Sequence, residues 1–313
     1  MHDLLKIAVG LSEVERIVRQ MDTVLKDQGY RTGSVGERLT NLAKEPRFLY
    51  PDSNEGREAL IDDLNGYIAE ITSKMAGFFK TQSSYEVIVR AFPEEIQDNS
   101  PAGLYLLPAI DGSKPGAYWI NLRDIKALPK FTLKTLTYHE ANPGHHWQGT
   151  LILDHQHLPL LIRVGILNAY LEGWALYAEQ LAAEMGLYEN DPFGDLGRLR
   201  DELLRAARLV VDTGLHRKRW TREQAIHYLK TTTGISEQDS VIEIERYMAY
   251  PGQALGYKLG MLKILELREV AKSELAEKFD LASFHDLVLL GGPVPLKLLE
   301  RKVNDWIAVN KNV

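Results

Sequence analysis

The sequence contains no cysteine. Disulfide bonds, thiol nucleophiles and thiolate metal sites are thereby excluded, and any zinc must be held by histidine and carboxylate. No apolar run approaches the roughly 20 residues that cross a bilayer. The first ten residues include Asp3 and Lys6 and lack the apolar core of a signal peptide. Positive charge is not in excess either. The 37 Lys and Arg against 43 Asp and Glu give a formal net charge of −6, which offers no electrostatic basis for binding nucleic acid or an anionic membrane. What remains is 313 residues, 45% hydrophobic and 26% charged, enough chain for a large core in one domain or two closely joined ones.

The apolar pattern is mostly helical. Ser12-Glu13-Val14-Glu15 fits a capping box ahead of Val14, Ile17, Val18, Met21 and Leu25, and a second helix is expected over 55–79. Tyr85 to Phe92 then alternates, while Leu104–Leu107 and Ala117–Leu122 are short apolar runs bounded by Pro and Gly. These predict a sheet of about three strands within 85–122. Beyond Pro129, helices are expected over 132–150, 160–186, 195–219, 221–231, 240–249, 253–278 and 294–310. No repeat or long linker interrupts them. The expected fold class is α+β, predominantly α-helical, a single domain over 1–313 with a small sheet embedded in it.

Five of the nine histidines fall between His139 and His157. The informative segment is Tyr138-His139-Glu140-Ala141-Asn142-Pro143-Gly144-His145-His146-Trp147-Gln148. In a His-Glu-x-x-His motif, two histidines one turn apart face a metal and the glutamate is the general base. Here the position four after His139 is Pro143, which cannot ligate and which disrupts a helix. His145 and His146 lie roughly 9–10 Å further along an undistorted helix, too far to share an ion whose bonds are about 2.0–2.1 Å. The motif works only if Pro143-Gly144 kinks or bulges the helix so that one of them folds back. The spacing does not decide which, and a surface helix end with incidental histidines is the bland alternative. Glu172 lies in the apolar, aromatic stretch Leu171 to Glu179, where an ionised carboxylate needs a cation or several hydrogen bonds. Two neutral histidines and one carboxylate would make a three-ligand catalytic site with room for water. Glu179, on the same helix face, can accept a hydrogen bond from a ligating histidine. His155 and His157 are expected in a loop and receive no role.

On these residues the chain resembles the bacterial domain-of-unknown-function family 885, a group of zinc-peptidase-like proteins related to the gluzincins. The likeness runs through nearly the whole chain. Besides His139–Gln148 and Glu172–Glu179, it rests on Arg205-Ala206-Ala207-Arg208-Leu209-Val210-Val211-Asp212-Thr213-Gly214-Leu215-His216 and on the segment from Glu245-Arg246-Tyr247 through Pro251 to Lys258. The resemblance implies a zincin-like metallopeptidase with the small sheet beside its active-site helix. It implies Zn2+ at His139, His145 and Glu172, with Glu140 as the base. His145 is preferred to His146 because the second of the paired histidines is the more replaceable in the family. Family members are about twice this length, so the chain is expected to correspond to a C-terminal half, with part of the substrate cleft supplied from elsewhere.

A peptidase of this kind needs a hydrogen-bond donor opposite its base to stabilise the oxyanion. Of His216, Tyr247, Tyr250 and Tyr257, which lie in the shared segments, His216 and Tyr257 join Glu140 as the catalytic candidates. Arg198, Arg200, Arg205, Arg208, Arg217 and Arg219 interleave with Asp201, Glu202 and Asp212, which reads as a solvated, salt-bridged face. An inward Arg208 or Arg246 would bind a substrate C-terminal carboxylate. The strand Ala117–Leu122 would pair with an extended substrate by strand addition, as in gluzincin-type peptidases. The expected function is zinc-dependent hydrolysis of a peptide substrate, as a carboxypeptidase or dipeptidase. Its rivals are a non-catalytic, zinc-stabilised binding domain and a metal hydrolase of a non-peptide amide.

Overall fold

Ile17, Met21 and Leu25 recur at one-turn spacing and are fully buried, which makes one face of the first helix the floor of an apolar core. The structure, a computed structural model, describes residues 2–311. Its elements in chain order are α1 (His2–Asp27), α2 (Val35–Leu42), α3 (Asn54–Lys74), β1 (Val87–Ala91), β2 (Gly103–Leu106), β3 (Gly116–Ile120), α4 (Lys130–Glu140), α5 (His145–Asp154), α6 (Leu160–Arg163), α7 (Asn168–Glu184), α8 (Pro192–Lys218), α9 (Arg222–Thr233), α10 (Glu237–Ala249), α11 (Gly256–Leu275), α12 (Leu281–Leu290) and α13 (Leu296–Lys311). The fold is α+β and mostly helical, with one small sheet. No helix among the described residues is long and apolar enough to cross a membrane.

Two compact units interleave along the chain. The first comprises residues up to Ala59, Asp124–Thr135 and Tyr188–Lys258; the second comprises Leu60–Arg123, Leu136–Leu187 and the chain from Leu259 onward. In the first unit α1 lies along α8, and Gly10 lets them approach, because a Cβ there would be 2.8 Å from that of Leu209. Ile17, Met21 and Leu25 pack with Leu39, Leu196, Leu199, Leu203 and the rings of Phe48 and Phe131. A second cluster joins α8 to α9 and α10 through Ala207, Val211, Ile226, Leu229, Ile244 and Tyr247.

Ser12 and Glu13 do not start a helix, contrary to the capping-box reading; they lie inside α1. Glu13 instead pairs with Arg16 and with Lys258. Capping boxes occur instead at Thr221 with Gln224 and at Ser34, whose hydroxyl accepts from the Glu37 N–H while the Glu37 carboxylate accepts from the Ser34 N–H. The helix expected over 55–79 stops at Lys74, ahead of Gly77 with its φ of +88°. That over 160–186 is interrupted between Arg163 and Asn168.

In the second unit the strand order is β1-β3-β2, with β1 parallel and β2 antiparallel to β3. Substrate pairing on β3 is therefore ruled out, since both sides of its backbone are already paired. The strand is almost wholly buried, and so apolar a strand belongs at the centre of a sheet rather than at its edge. Helix α5 packs on β2 and β3 and also against α7 and α12. Helix α7 meets α11 at two glycines. A Cβ on Gly173 would be 2.5 Å from the Gly260 Cα, and one on Gly260 would be 1.9 Å from the Ala169 carbonyl. The Tyr170 hydroxyl donates to the Val288 carbonyl at 2.6 Å and ties α7 to α12.

The most exacting polar feature of the first unit is Lys258. Its fully buried ammonium lies 2.6 Å from Glu202 and 2.8 Å from Glu13. Burial alone would raise the Glu13 carboxyl, but Arg16 and Lys258 outweigh it and hold the pKa at about 2, against an ordinary 4.5. Glu202 is lowered in the same way. Because both pKa values are depressed by folding, their stabilisation is complete above about pH 4.5 and lost as pH falls toward 2. Lys258→Met should cost up to about 3 kcal/mol, because it removes the buried cation that the two carboxylates share and leaves them to Arg16 and Arg198. Denaturant unfolding at pH 7 measures this, and the same titration repeated down to pH 3 should show a shallower acid dependence than wild type.

Candidate metal centre

The last turn of α4 carries His139 and Glu140, and its ladder ends with the Ala141 N–H on the Thr137 carbonyl at 2.8 Å. Pro143 has no N–H with which to continue it. At Gly144 the backbone lies against the turn it has just left, where a Cβ would be 1.9 Å from the His139 carbonyl oxygen and 2.4 Å from that of Tyr138. Only glycine tolerates such an approach. Helix α5 then starts at His145. The helix expected over 132–150 is thus two helices, with the expected irregularity at Pro143-Gly144 as the break between them. Side chains fix the turn from two directions. The Trp174 indole N–H donates to the Pro143 carbonyl at 2.8 Å, and the Asn142 amide donates to the Thr72 hydroxyl at 3.0 Å.

This reversal sets the His145 ring 4.9 Å from the His139 ring and perpendicular to it. From α7, the Glu172 Oε2 reaches to 3.6 Å from His139 Nε2 and 3.3 Å from His145 Nε2. One ligand atom from each residue lies within 4.8 Å of the others. Tetrahedral bonds of about 2.0–2.1 Å place ligand atoms about 3.3–3.4 Å apart, so the group fits a metal ion with little adjustment. Glu179, two turns along α7 and 1% exposed, accepts from His139 Nδ1–H at 2.7 Å. That bond leaves the Nε2 lone pair directed at the group, the arrangement that orients a metal-bound imidazole.

Without an ion, the electrostatics favour a proton in its place. Burial would depress His139, yet Glu172 and Glu179, with a contribution from Glu140, outweigh it and lift the pKa to about 9. Burial would raise Glu172, but the two imidazoles hold it well below the carboxylate range. Glu140 is buried at 7% exposure. His146 is separate from this group. Its Nε2–H donates to the Tyr85 carbonyl at 3.1 Å and its Nδ1 accepts from the Tyr105 hydroxyl at 2.9 Å. Burial, only partly offset by the Tyr85 carbonyl, lowers its pKa to about 4. A neutral imidazole with both nitrogens engaged has nothing to offer an ion, whereas His145 faces Glu172.

The remaining candidates lie in the first unit. His216 Nε2–H donates to the Tyr247 carbonyl at 3.1 Å, Tyr247 and Tyr257 are buried, and Tyr250 is 67% exposed. The arginines of α8 are salt-bridged, Arg198 to Asp195 and Arg205 to Asp201. However, Arg205 and Arg208 are buried rather than solvated, because α8 runs between α1 and the helices α9 and α10 and has little free face. Arg208 is held by Glu243 and Tyr247, and Arg246 by Glu243 and Gln253. His155 bonds its own helix end at Leu151, and His157 is exposed. Trp174 was not singled out by the sequence. The available signal was a tryptophan between Glu172 and Glu179, since a buried indole N–H requires a partner.

Fold and site together describe a mostly helical α+β protein in which two imidazoles and a carboxylate are grouped so that they could hold a metal ion. The chain belongs to a family described as bacterial protein of unknown function (DUF885), which it matches over residues 6–303. It is similar to the crystal structure of a "putative lipoprotein" from Colwellia psychrerythraea, with 64% identity and a TM-score of 0.97 over 99% of this chain and 53% of the other. A "putative lipoprotein of unknown function" from Shewanella oneidensis shares the fold at 20% identity, with a TM-score of 0.80 over 96% of this chain and 56% of the other. The chain therefore spans about half the length of these solved structures. No curated protein matches it.

Gly144→Ala should weaken metal binding by roughly tenfold or more, the scale of a displaced ligand-orienting group. The new methyl must push the turn off the His139 carbonyl and carry His145 away from Glu172. Competition against a chromophoric chelator measures the affinity. An unchanged value would show that the close approach does not set the ligand geometry.

Proposed function

We propose that this chain is a zinc-dependent hydrolase of peptide bonds, built on a zincin-like arrangement. The observation that carries the reading is the convergence of His139 Nε2, His145 Nε2 and Glu172 Oε2, with Glu140 next to the first ligand in sequence. Two nitrogens, one carboxylate oxygen and no sulfur are the donor set of catalytic rather than structural zinc. The sheet packed against α5 agrees with the zincin-like reading.

When bound, zinc supplies a water acidified from pKa 15.7 to about 7 and a Lewis acid for the substrate carbonyl. The protein's own residues do the rest. His139 and His145 present neutral nitrogens, and Glu179 holds His139 in the tautomer that leaves Nε2 free. Glu172 contributes negative charge. Glu140 takes the proton of the attacking water and returns it to the departing amine, an effect worth roughly 10²–10⁴ in rate.

Purified chain should contain one zinc per molecule and cleave members of an unbiased peptide library. Glu140→Gln should keep the zinc and lose at least roughly two orders of magnitude in turnover. Glu172→Ala should lose the zinc, while His155→Ala and His157→Ala should leave it in place. Stoichiometric zinc with no cleavage of any peptide would favour a zinc-stabilised binding domain. Cleavage confined to acylated amines would favour a non-peptide amide hydrolase. Absence of zinc after reconstitution would refute the reading altogether.

A further inference from the structure

We propose that Arg208, in the first unit, is the anchor of a binding site for a carboxylate anion, walled by Tyr257. The proposal is independent of the metal reading.

Arg208 projects from α8 toward α10, and one edge of its guanidinium is fully engaged. Nε donates to the Tyr247 hydroxyl at 2.9 Å, and Nη2 donates to Glu243 Oε2 at 2.8 Å. That same carboxylate oxygen also accepts from Arg246 Nη2 at 2.9 Å and from the Tyr247 hydroxyl. One carboxylate thus faces two guanidiniums, and the group is left with a net charge of +1. The next carboxylate along α8, Asp212, accepts instead from the Gly252 N–H at 2.9 Å.

The other edge of Arg208 is unused. The side chain is more than nine-tenths buried, yet Nη1 has no hydrogen-bond partner among the described residues. An unsatisfied charged donor at such depth is strongly unfavourable, so the two N–H groups of Nη1 point to an acceptor that is not part of this chain. The Tyr257 ring centroid lies 4.5 Å from the guanidinium carbon, so the ring covers its face. Nη1 has almost no exposed surface, so an acceptor in the guanidinium plane must displace the side chains that now cover it. Arg246 keeps 31% of its side chain exposed, so the cluster borders solvent. A planar monoanion matches the unused N–H pair in shape and cancels the single excess charge, whereas a dianionic phosphate would overshoot it. A carboxylate has both properties. It can come from a free acid or from the C-terminus of a peptide.

The test uses the whole chain and follows its thermal unfolding with sodium acetate, with N-acetyl-Ala-Ala and with the C-terminal amide of that dipeptide. Sodium chloride at matched ionic strength serves as the reference. Acetate should raise the midpoint saturably at millimolar concentration, by the linkage between binding and stability. A larger rise with N-acetyl-Ala-Ala, and none with its amide, would assign the site to peptide C-termini. Equal rises with both acids would assign it to small free acids. Arg208→Lys keeps a positive charge for Glu243 and Tyr247 but has no second nitrogen, and should abolish the rise. Arg246→Gln changes a partly exposed residue, leaves Nη1 in place and removes the excess charge. It should weaken the affinity severalfold, and it serves if Arg208→Lys does not fold. The proposal is overturned if chloride gives the same rise, if Arg208→Lys retains it, or if no rise occurs up to about 100 mM. It is also overturned if crystals grown in acetate show a water on Nη1 instead.

Discussion

Everything proposed for the metal group depends on a backbone approach at Gly144, where the chain lies too close to the His139 carbonyl for any side chain to fit. Six residues of straight helix would separate His139 from His145 by about 9 Å. The turn removes that separation with a proline, which has no N–H to leave unsatisfied, and a glycine, which has no Cβ to collide. Two bonds then hold it, from Trp174 and from Asn142. Trp174 shares α7 with Glu172 and Glu179, so one helix both fixes the turn and completes the donor set. The position of α7 is in turn set by the close contact of Gly173 with Gly260 and by Tyr170 on Val288. A change at any of these points displaces ligands that it does not touch.

The same segment shows that acidic neighbours, not burial, decide the charge of its histidines. His139 and His146 are both almost wholly buried, and burial by itself favours the neutral imidazole in each. His146 meets a hydroxyl and a carbonyl and is pushed down to about 4. His139 meets Glu172 and Glu179 and is lifted to about 9. Three carboxylates, Glu140, Glu172 and Glu179, surround two imidazoles. Without a further cation the group retains a proton to offset part of their charge. A divalent ion does so more fully and lets both imidazoles act as neutral donors.

Much of this was legible in the sequence, and the remainder failed for identifiable reasons. The helices from α7 to α11 and the three strands follow from periodicity and from Pro and Gly positions. The need for a break at Pro143-Gly144 follows from ligand spacing alone. Ser12-Glu13-Val14-Glu15 and Ser34-Val35-Gly36-Glu37 carry the same kind of pattern, but only the second begins a helix. The first is overridden because Gly10 and Ile17 keep one face of α1 continuous against the core. The centrality of β3 was hidden because its parallel partner β1 is separated from it in the chain by β2. Spacing could not choose between His145 and His146, since the difference lies with Tyr85 and Tyr105, partners about 40 to 60 residues away. Helix α12 was missed because its run of apolar residues is buried on several sides and shows little amphipathic stripe.

Cation binding and hydrolysis make different demands on the chain. All three donors, the residue behind His139 and the proposed base lie between His139 and Glu179, inside one compact unit. Their geometry is set by contacts within that unit, so a cation needs nothing from the other. Hydrolysis additionally requires that a substrate be held and its oxyanion stabilised, which this segment does not provide by itself. The hydrogen bonds of His216, Tyr257 and Arg208 to Tyr247, Gln253 and Glu243 belong to the first unit. Metal affinity should therefore respond to changes in α4, α5 and α7, and carboxylate binding at Arg208 separately to changes in α8 and α10. Glu140→Gln, which leaves all three donors in place, separates an ion held for structure from one held for catalysis.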